Sequence, residues 1–468
     1  MTRELPKENK MGVMPIPKLL LTMSLPMVIS MLIQALYNIV DSAFVAQINE
    51  NALTAVSLVF PVQSLMIALA TGTGVGINSL LSKSLGEKEF GRANAAAKNG
   101  IFLALMTSII FAFIAFFVAD PFLRYQTNDP QIYRYGVNYM RICACLGIGV
   151  FFQITFERLL TSTGKTIYTM ISQAIGAITN IILDPILIFG LLGFPKMGVP
   201  GAAIATVIGQ FLGASLGIIF NLKFNKEINI NMKGFRPNGK IIKHIYIVGI
   251  PSIIMQSIGS VMTFGMNKIL LTFSSTAAAV FGVYFKLNSF IFMPIFGLNN
   301  GMVPIIAYNY GAKHKKRITD VIKLSVIVAT IIMLMGLTLF LVVPGQLLSL
   351  FNASEHMHSI GIPALRIISL SFIFAGYCII IGSVFQALGN AVYSMIISMT
   401  RQLFVILPVA YALASLLGLH AVWWSVPIAE IVSVIMTTYC FRRIYKKKLQ
   451  TLSDQNTLIT EQQSFIKQ

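Results

Sequence analysis

The sequence predicts an all-α polytopic membrane protein with twelve transmembrane helices in two six-helix repeats, and three observations support this fold class. The chain has 468 residues, of which 56% are hydrophobic and only 11% charged, and its mean hydropathy is +0.78. Soluble domains carry about 25% charged residues. Apolar stretches of about 20 residues, long enough to cross a bilayer as helices, recur along the whole chain. The two halves of the chain also match each other.

The apolar stretches divide evenly around one long polar interval. They predict helices near 16–42, 53–80, 94–118, 133–156, 165–191, 199–221, 245–271, 278–306, 320–344, 358–383, 392–417 and 419–441. The polar interval 222–244 then separates an N-terminal half, 16–221, from a C-terminal half, 245–441, and its composition is typical of a flexible, exposed tether. The remaining residues are tails at 1–15 and 442–468, and the polar N-terminus does not have the pattern of a signal peptide.

The two halves match without gaps at an offset of 225 residues. Identical pairs of distinctive residue types include Pro26 and Pro251, Gly86 and Gly311, Arg92 and Arg317, Gly136 and Gly361, Arg141 and Arg366, Gly164 and Gly389, and Tyr168 and Tyr393. The register is lost after Tyr393. With six helices per half, both halves enter the membrane in the same sense, which predicts a pseudo-two-fold axis along the membrane normal. Repeats of this kind are common among carriers that rock one half against the other, so the repeat favours transport.

Basic residues lie mostly in alternate connections of the predicted helices. They concentrate in the N-terminal tail, at 83–98, 158–165, 223–243 and 313–323, and beyond 442. Cytoplasmic loops carry this excess, so we expect a multi-pass protein of the cell (inner or cytoplasmic) membrane with both termini in the cytoplasm. The net charge is +19, and the basic residues responsible for it are then expected to contact membrane lipids of the inner leaflet. Nucleic acid is not an expected partner, because the basic tracts have no base-reading module beside them.

Carboxylates inside the apolar stretches are the candidate functional residues. Most of the 16 acidic residues lie in tails and loops, and those inside or at the edge of a span are Asp41, Glu157, Asp184 and Glu430. A charge at the membrane centre costs about 3 kcal/mol on insertion scales, so such a residue marks an ion or substrate path by default. The repeat partners of Asp41 and Glu157 are not acidic. The predicted acidic site therefore belongs to the N-terminal half.

The segment TNIILDPILIFG, residues 179–190, shows how such a site could be built. Asn180 and Asp184 are four residues apart and share one face of a helix. Pro185 has no N–H and presses on the carbonyl of Ile181, which predicts a helix kink and a freed carbonyl. These oxygens suit a hard cation such as sodium. A proton suits them equally, because it removes the charge that is costly to bury.

Structural roles remain open for these residues. Asp184 could instead cap a neighbouring helix or pair with a lysine. Glu157 lies near the predicted cytoplasmic edge beside Arg158, and Glu430, in PIAEIV, is expected to be structural. The sequence does not define a role for Lys286 or Arg401.

Enzymatic chemistry is not indicated. TGTGVG at 71–76 resembles a phosphate loop, but no strand precedes it and no Lys-Ser/Thr follows, so helix packing explains it better. The histidines and cysteines are not spaced as a metal site. We expect no enzyme activity, no cofactor and no metal beyond a possible sodium ion, and energy from an ion gradient.

Three segments resemble the multidrug and toxic compound extrusion (MATE) family. SLPMVISMLIQALYNIVDSAFVAQ, residues 24–47, is similar to that family's LP…Q…YN…VD…F pattern. NIILDPILIFG, residues 180–190, is closest to its MepA-type branch, and GVPGAAIATVIGQ, residues 198–210, resembles its Gly-Ala-Ala…Ala-Thr signature. The likeness extends from about Leu25 to Lys446.

The resemblance implies a multidrug exporter, relevant to antibiotic resistance, that exchanges cationic or amphipathic drugs for protons or sodium ions by alternating access. It assigns the coupling ion, H⁺ or Na⁺, to Asp41, Asn180 and Asp184, with Thr206 as a further candidate. Glu157, which stands where the family commonly has Asn, is also counted among the candidate coupling-ion residues. We expect a monomer.

A lipid-linked precursor flippase of the same superfamily is the alternative to an exporter. Such a flippase is expected to have more spans and a cationic cavity for pyrophosphate. Arg401 and Lys286 keep this alternative open, whereas the acidic N-terminal half argues against it.

Overall fold

The structure, a computed structural model, describes residues 8–351 and 353–452. These residues are helical almost throughout, which confirms the predicted all-α membrane fold. Ten helices are long and apolar enough to cross a membrane, and two bent helix pairs bring the number to twelve over the described chain. Residues 1–7 and 453–468 of the predicted tails lie outside the described residues, so the cytoplasmic location of both termini stays a prediction.

The helices follow one another with short connections. The first eight are α1 (Lys10–Val13), α2 (Ile16–Ala46), α3 (Glu50–Gly86), α4 (Phe90–Gln126), α5 (Pro130–Cys145), α6 (Ile148–Ser162), α7 (Thr166–Phe189) and α8 (Val199–Phe224). The others are α9 (Gly239–Leu271), α10 (Ser275–Gly311), α11 (Lys315–Val342), α12 (Pro344–Ser349), α13 (Glu355–Ser369), α14 (Phe372–Ala387), α15 (Ala391–Met399), α16 (Leu407–Leu417), α17 (Leu419–Val422) and α18 (Ser425–Ile444). A 3₁₀ turn lies at Leu191–Gly193, and π-helical segments lie at Thr400–Ile406 and Tyr445–Leu449.

Two predicted spans are each broken into two helices. The span predicted at 133–156 is the pair α5 and α6, bent by 42°, and the span predicted at 358–383 is the pair α13 and α14, bent by 50°. Apolar periodicity continues across both breaks, so the sequence pattern alone does not reveal them. The breaks lie at corresponding places in the two repeats.

Local backbone conformations repeat at the predicted offset of 225 residues. Asn49 caps α3 and Ser274 caps α10, and each side chain accepts a hydrogen bond from the backbone N–H three residues later. Lys88 and Lys313 both adopt the left-handed conformation, with φ of 60° and 59°, at the turns after these helices. Since caps and turns are set by local sequence, the two repeats use the same signals to start and stop their helices.

A π-helical segment, Thr400–Ile406, begins shortly after Tyr393, the last residue of the matching register. A π-helical turn takes up more residues than an α-helical turn. The corresponding stretch of the first repeat lies inside α7, which is α-helical from Thr166 to Phe189. The two repeats therefore differ in helix type over this stretch.

Contacts divide the chain into two compact units. The first unit is Leu25–Ile253, and the second consists of the described residues up to Ser24 and from Ile254 onward. Both boundaries fall inside helices, α2 and α9, close to the paired residues Pro26 and Pro251. The compact units therefore differ at these edges from the halves predicted at 16–221 and 245–441.

The polar interval is attached to the first unit. The backbone N–H groups of Asn229 and Asn238 donate to the side-chain oxygens of Asn94 and Asn99 on α4, at 2.7 and 2.9 Å. The Phe235 ring lies 5.9 Å from the Phe102 ring. Two asparagines of α4 therefore hold the backbone of this segment at two points, while residues 231–240 are nearly all exposed.

The fold predicts that the connections before and after α8 lie on opposite sides of the membrane. α8 has 26 residues and is about 39 Å long, enough to cross a bilayer. A cysteine in place of exposed Lys233 should react with a membrane-impermeant maleimide only from the cytoplasm, and one in place of exposed Lys196 only from outside. The control is a background in which half-buried Cys145 and Cys440 are replaced by serine, which leaves only the buried Cys143 and Cys378. Labelling of both positions from one side would contradict the assignment of α8 as a span.

Candidate functional site

Four of the predicted coupling residues meet inside the first unit. α2 contributes Asp41, α7 contributes Asn180 and Asp184, and α8 contributes Thr206. Asp184 is 0% exposed, Asn180 2% and Thr206 7%, while Asp41 is partly buried. The site is therefore assembled from three helices that are distant in sequence.

Asn180 lies at the centre of this cluster. Its side-chain Nδ2 donates to Asp184 Oδ1 and to Thr206 Oγ1, each at 3.2 Å. α7 continues through Pro185 to Phe189, so Asn180 and Asp184 stay one turn apart on the same face. One amide thus holds the carboxyl group on its own helix and the hydroxyl group on the next.

The Asp41 and Asp184 carboxyl groups lie within hydrogen-bonding distance of each other. Three buried oxygens of the cluster, Asp41 Oδ1, Asn180 Oδ1 and Asp184 Oδ2, have no hydrogen-bond partner among the described residues. Two charged carboxylates this close repel each other strongly in an apolar surrounding. A positive charge between them removes that repulsion, and the oxygens are the ligands that a hard cation prefers.

Glycines bring α7 and α8 close enough for the Asn180–Thr206 contact. A Cβ on Gly209 would lie 2.6 Å from the carbonyl oxygen of Gly176, and a Cβ on Gly201 would lie 2.6 Å from that of Leu187. Small residues at helix interfaces allow such close backbone approach. The sequence GVPGAAIATVIGQ therefore has a structural reason for its glycines as well as for Thr206.

Three further polar residues, which were not predicted, lie on the helices that carry the cluster. The Tyr37 phenol, one turn before Asp41 on α2, is near enough to interact electrostatically with both carboxyl groups. Gln173 on α7 donates from Nε2 to Gln34 Oε1 on α2, at 3.2 Å. Helical spacing could have indicated the two residues of α2, because Gln34 and Tyr37 precede Asp41 at intervals of three and four residues and so share its helix face.

Glu157 has a separate environment. It is 8% exposed on α6, and its Oε1 accepts a hydrogen bond from Gln153 Nε2, one turn earlier, at 3.0 Å. Within the described chain, no hydrogen bond or ion pair joins its side chain to Asp41, Asn180 or Asp184. The assignment of Glu157 to the coupling ion stays a prediction.

Glu430 is ion-paired in the second unit. Arg401 Nη1, in the π-helical segment, donates to Glu430 Oε2 at 3.0 Å, and Glu430 is 3% exposed. This contact gives the carboxylate a partner, as a structural role requires. Lys286, the other cation with no predicted role, lies 5.9 Å from the centre of the Phe351 ring.

Known proteins match this chain over most of its length. The MatE family profile matches residues 26–186 and 251–412. Multidrug export protein MepA of Staphylococcus haemolyticus (strain JCSC1435) is 29% identical over 443 residues, covering 94% of this chain and 96% of that protein. The protein of the same name from Staphylococcus aureus (strain MRSA252) is 27% identical over 417 residues, covering 89% and 91%.

A solved structure is similar over nearly the whole length. It is an outward-facing conformation of a multidrug resistance MATE family transporter of the MOP superfamily. The TM-score is 0.90 at 25% identity, and the match covers 96% of this chain and 100% of the other. The relatives therefore confirm the resemblance found in the three segments.

Replacing Gly209 with alanine should disturb the site by separating α7 from α8. The new methyl group meets backbone of α7, which cannot move aside as a flexible side chain would. We expect Gly209→Ala to destabilise the protein by about 1–3 kcal/mol, measured as a lower thermal unfolding midpoint in detergent.

The matched control for Gly209→Ala is Gly282→Ala in α10, where a Cβ would meet nothing within 4 Å. Alanine favours a helix over glycine by about 0.5–1 kcal/mol, so this variant should be neutral or slightly more stable. Equal midpoints for the two variants would show that the α7–α8 packing tolerates separation.

Proposed function

The chain belongs to the MatE family of multidrug transporters, and we propose that it exports cationic or amphipathic drugs in exchange for a proton or a sodium ion. The observation that carries this proposal is the buried cluster of Asp41, Asn180, Asp184 and Thr206. The relatives named as multidrug export proteins support drugs as the exported class. The apolar, multi-pass chain supports export across the cell membrane.

Competition for one negative charge is the proposed basis of exchange. The Asp41–Asp184 pair is most stable when one positive charge sits beside it, because two bare carboxylates repel. A coupling cation and a cationic drug both satisfy this need, so binding of one disfavours the other. The competition can be direct or can act through bending of α7 at Pro185, where one backbone hydrogen bond is missing.

Alternating access converts this competition into transport. Facing outside, the pair takes up the coupling cation, and the drug leaves. When the protein faces inside, the cation dissociates into the compartment where its electrochemical potential is lower, and the drug binds in its place. Each ligand shifts the equilibrium only by its differential affinity for the two states, so a cation gradient is sufficient to drive export.

The alternative lipid-linked precursor flippase finds less support in the geometry. A diphosphate substrate that is carried across the membrane needs unpaired cationic side chains inside the membrane-spanning helices, not only at their ends. Arg401 is instead ion-paired with Glu430, and the first unit concentrates carboxyl groups. Both features favour a cationic substrate.

Asp184→Asn should abolish gradient-driven export while leaving the fold intact. Asparagine keeps the size and hydrogen-bonding capacity of the side chain but removes its charge. In vesicles holding equal amounts of folded protein, ion-driven ethidium transport by Asp184→Asn should fall to the level of protein-free vesicles. Asp41→Asn should behave similarly, because either change leaves only one carboxyl group in the pair.

The matched control for these variants is Glu430→Gln, which removes a buried charge from the second unit. It should keep most of the transport per folded molecule, since its carboxylate is engaged with Arg401. Wild-type transport with unchanged gradient dependence in Asp184→Asn would place the coupling site elsewhere.

The coupling ion can be identified by imposing one gradient at a time. Vesicles with a proton gradient but no sodium, and vesicles with a sodium gradient at uniform pH, should differ in ethidium transport, and the effective gradient should lose its effect in Asp41→Asn. Transport that responds to neither gradient would contradict the proposed exchange.

A further inference from the structure

A basic cleft lies at one end of the second unit, where α18 passes into the π-helical segment Tyr445–Leu449. Its volume is about 480 Å³, within the range of about 300–1,000 Å³ typical of small-molecule sites. The cleft is lined by Lys315, Phe441, Arg442, Tyr445, Lys446 and Gln450. The cluster described above, in the first unit, shares none of these residues.

Helical spacing builds the main wall of the cleft. Phe441 and Tyr445 are four residues apart, and their ring centroids are 6.0 Å apart. Arg442 and Lys446 follow with the same spacing on the adjacent row, so the wall has an aromatic strip beside a basic strip. Lys315, the first residue of α11, adds a third cation from another helix.

The three cations of the cleft have no carboxylate to balance them. Lys315, Arg442 and Lys446 take part in no ion pair among the described residues, and the residues that line the cleft include no acid. Three positive charges this close repel one another, so an anion in the cleft stabilises all three. A phosphate group accepts several hydrogen bonds and suits Arg and Lys together.

The position along the helices indicates the source of the phosphate. α11 begins at Lys315 and α18 ends at Ile444, so the cleft lies where two membrane-crossing helices leave the apolar layer. Aromatic residues such as Tyr445 are typical of this depth. Ile435 and Tyr439 lie on α18 before the cleft residue Arg442, and both are exposed. They offer an apolar surface for acyl chains.

The first repeat does not have this feature. α8, the sixth span of the first repeat, carries only one basic residue, Lys223, in its last turn. Asn221 and Asn225 at that end donate to the backbone carbonyls of Phe156 and Leu159. The basic cleft is therefore particular to the second repeat and is not a by-product of duplication.

We propose that this cleft binds the headgroup of an anionic phospholipid. Arg442 and Lys446 hold the phosphate, Lys315 adds charge from α11, and the acyl chains lie along the exposed face of α18. Basic pockets between membrane helices are suited to such headgroups. The bound lipid would join the ends of α11 and α18 through its phosphate.

Phosphatidylglycerol binding to the full chain tests the proposal. The protein in detergent is titrated with dioctanoyl phosphatidylglycerol, and bound lipid is counted by native mass spectrometry. Arg442→Gln with Lys446→Gln should weaken binding by about tenfold or more. The matched control, Arg443→Gln with Lys447→Gln, removes the same charge from exposed residues outside the cleft and should change affinity by less than about twofold.

A second pair of variants tests the opposite wall. Lys315→Gln should weaken binding of the lipid, whereas Lys316→Gln, at the exposed neighbour, should not. Equal losses in the cleft and control variants would overturn the site in favour of diffuse charge attraction. Equal binding of dioctanoyl phosphatidylcholine would remove the anionic requirement, and displacement by equimolar inorganic phosphate would assign the cleft to free phosphate.

Discussion

The repulsion between two buried carboxyl groups is the constraint on which the account of this protein depends. Asp41 and Asp184 lie within hydrogen-bonding distance of each other, in helices whose other residues are mostly apolar. Removing a charge from water into a membrane-spanning helix costs about 3 kcal/mol, and a second like charge nearby adds to that cost. A cation beside the pair offsets both the cost of burying the charge and the repulsion between the carboxylates, so the site is more stable when a positive charge is bound there.

The surrounding helices keep this unfavourable arrangement in place. Close glycine packing between α7 and α8 brings Thr206 to Asn180, and Asn180 in turn orients Asp184. The second repeat differs in the stretch that corresponds to α7. There, a π-helical segment places Arg401 against Glu430. One repeat thus leaves its carboxyl groups available, while the other neutralises its carboxylate with an internal partner. A shared frame with different charges explains why only one unit is a candidate for ion coupling.

Most of the fold could be predicted from the sequence, because long apolar runs specify membrane helices and matching residues at one offset reveal the repeat. Asp41 and Asp184 could be singled out because carboxylates are rare in such runs, Asn180 because it lies one turn from Asp184, and Thr206 only through the family resemblance. The breaks at 145–148 and 369–372 could not, because apolar periodicity continues across them. Nor could the attachment of the polar interval to Asn94 and Asn99, or the Arg401–Glu430 pair, because both depend on contacts between helices distant in sequence.

The central claim is that drug and coupling cation compete for the Asp41–Asp184 pair, and an equilibrium binding measurement tests it most directly. Purified protein is titrated with a fluorescent cation such as ethidium at increasing sodium concentration and, separately, at decreasing pH. We expect one of these cations to raise the apparent Kd of ethidium in proportion to its concentration, and Asp184→Asn to remove the dependence. An ethidium Kd that stays constant across both series in the wild-type protein would contradict the claim.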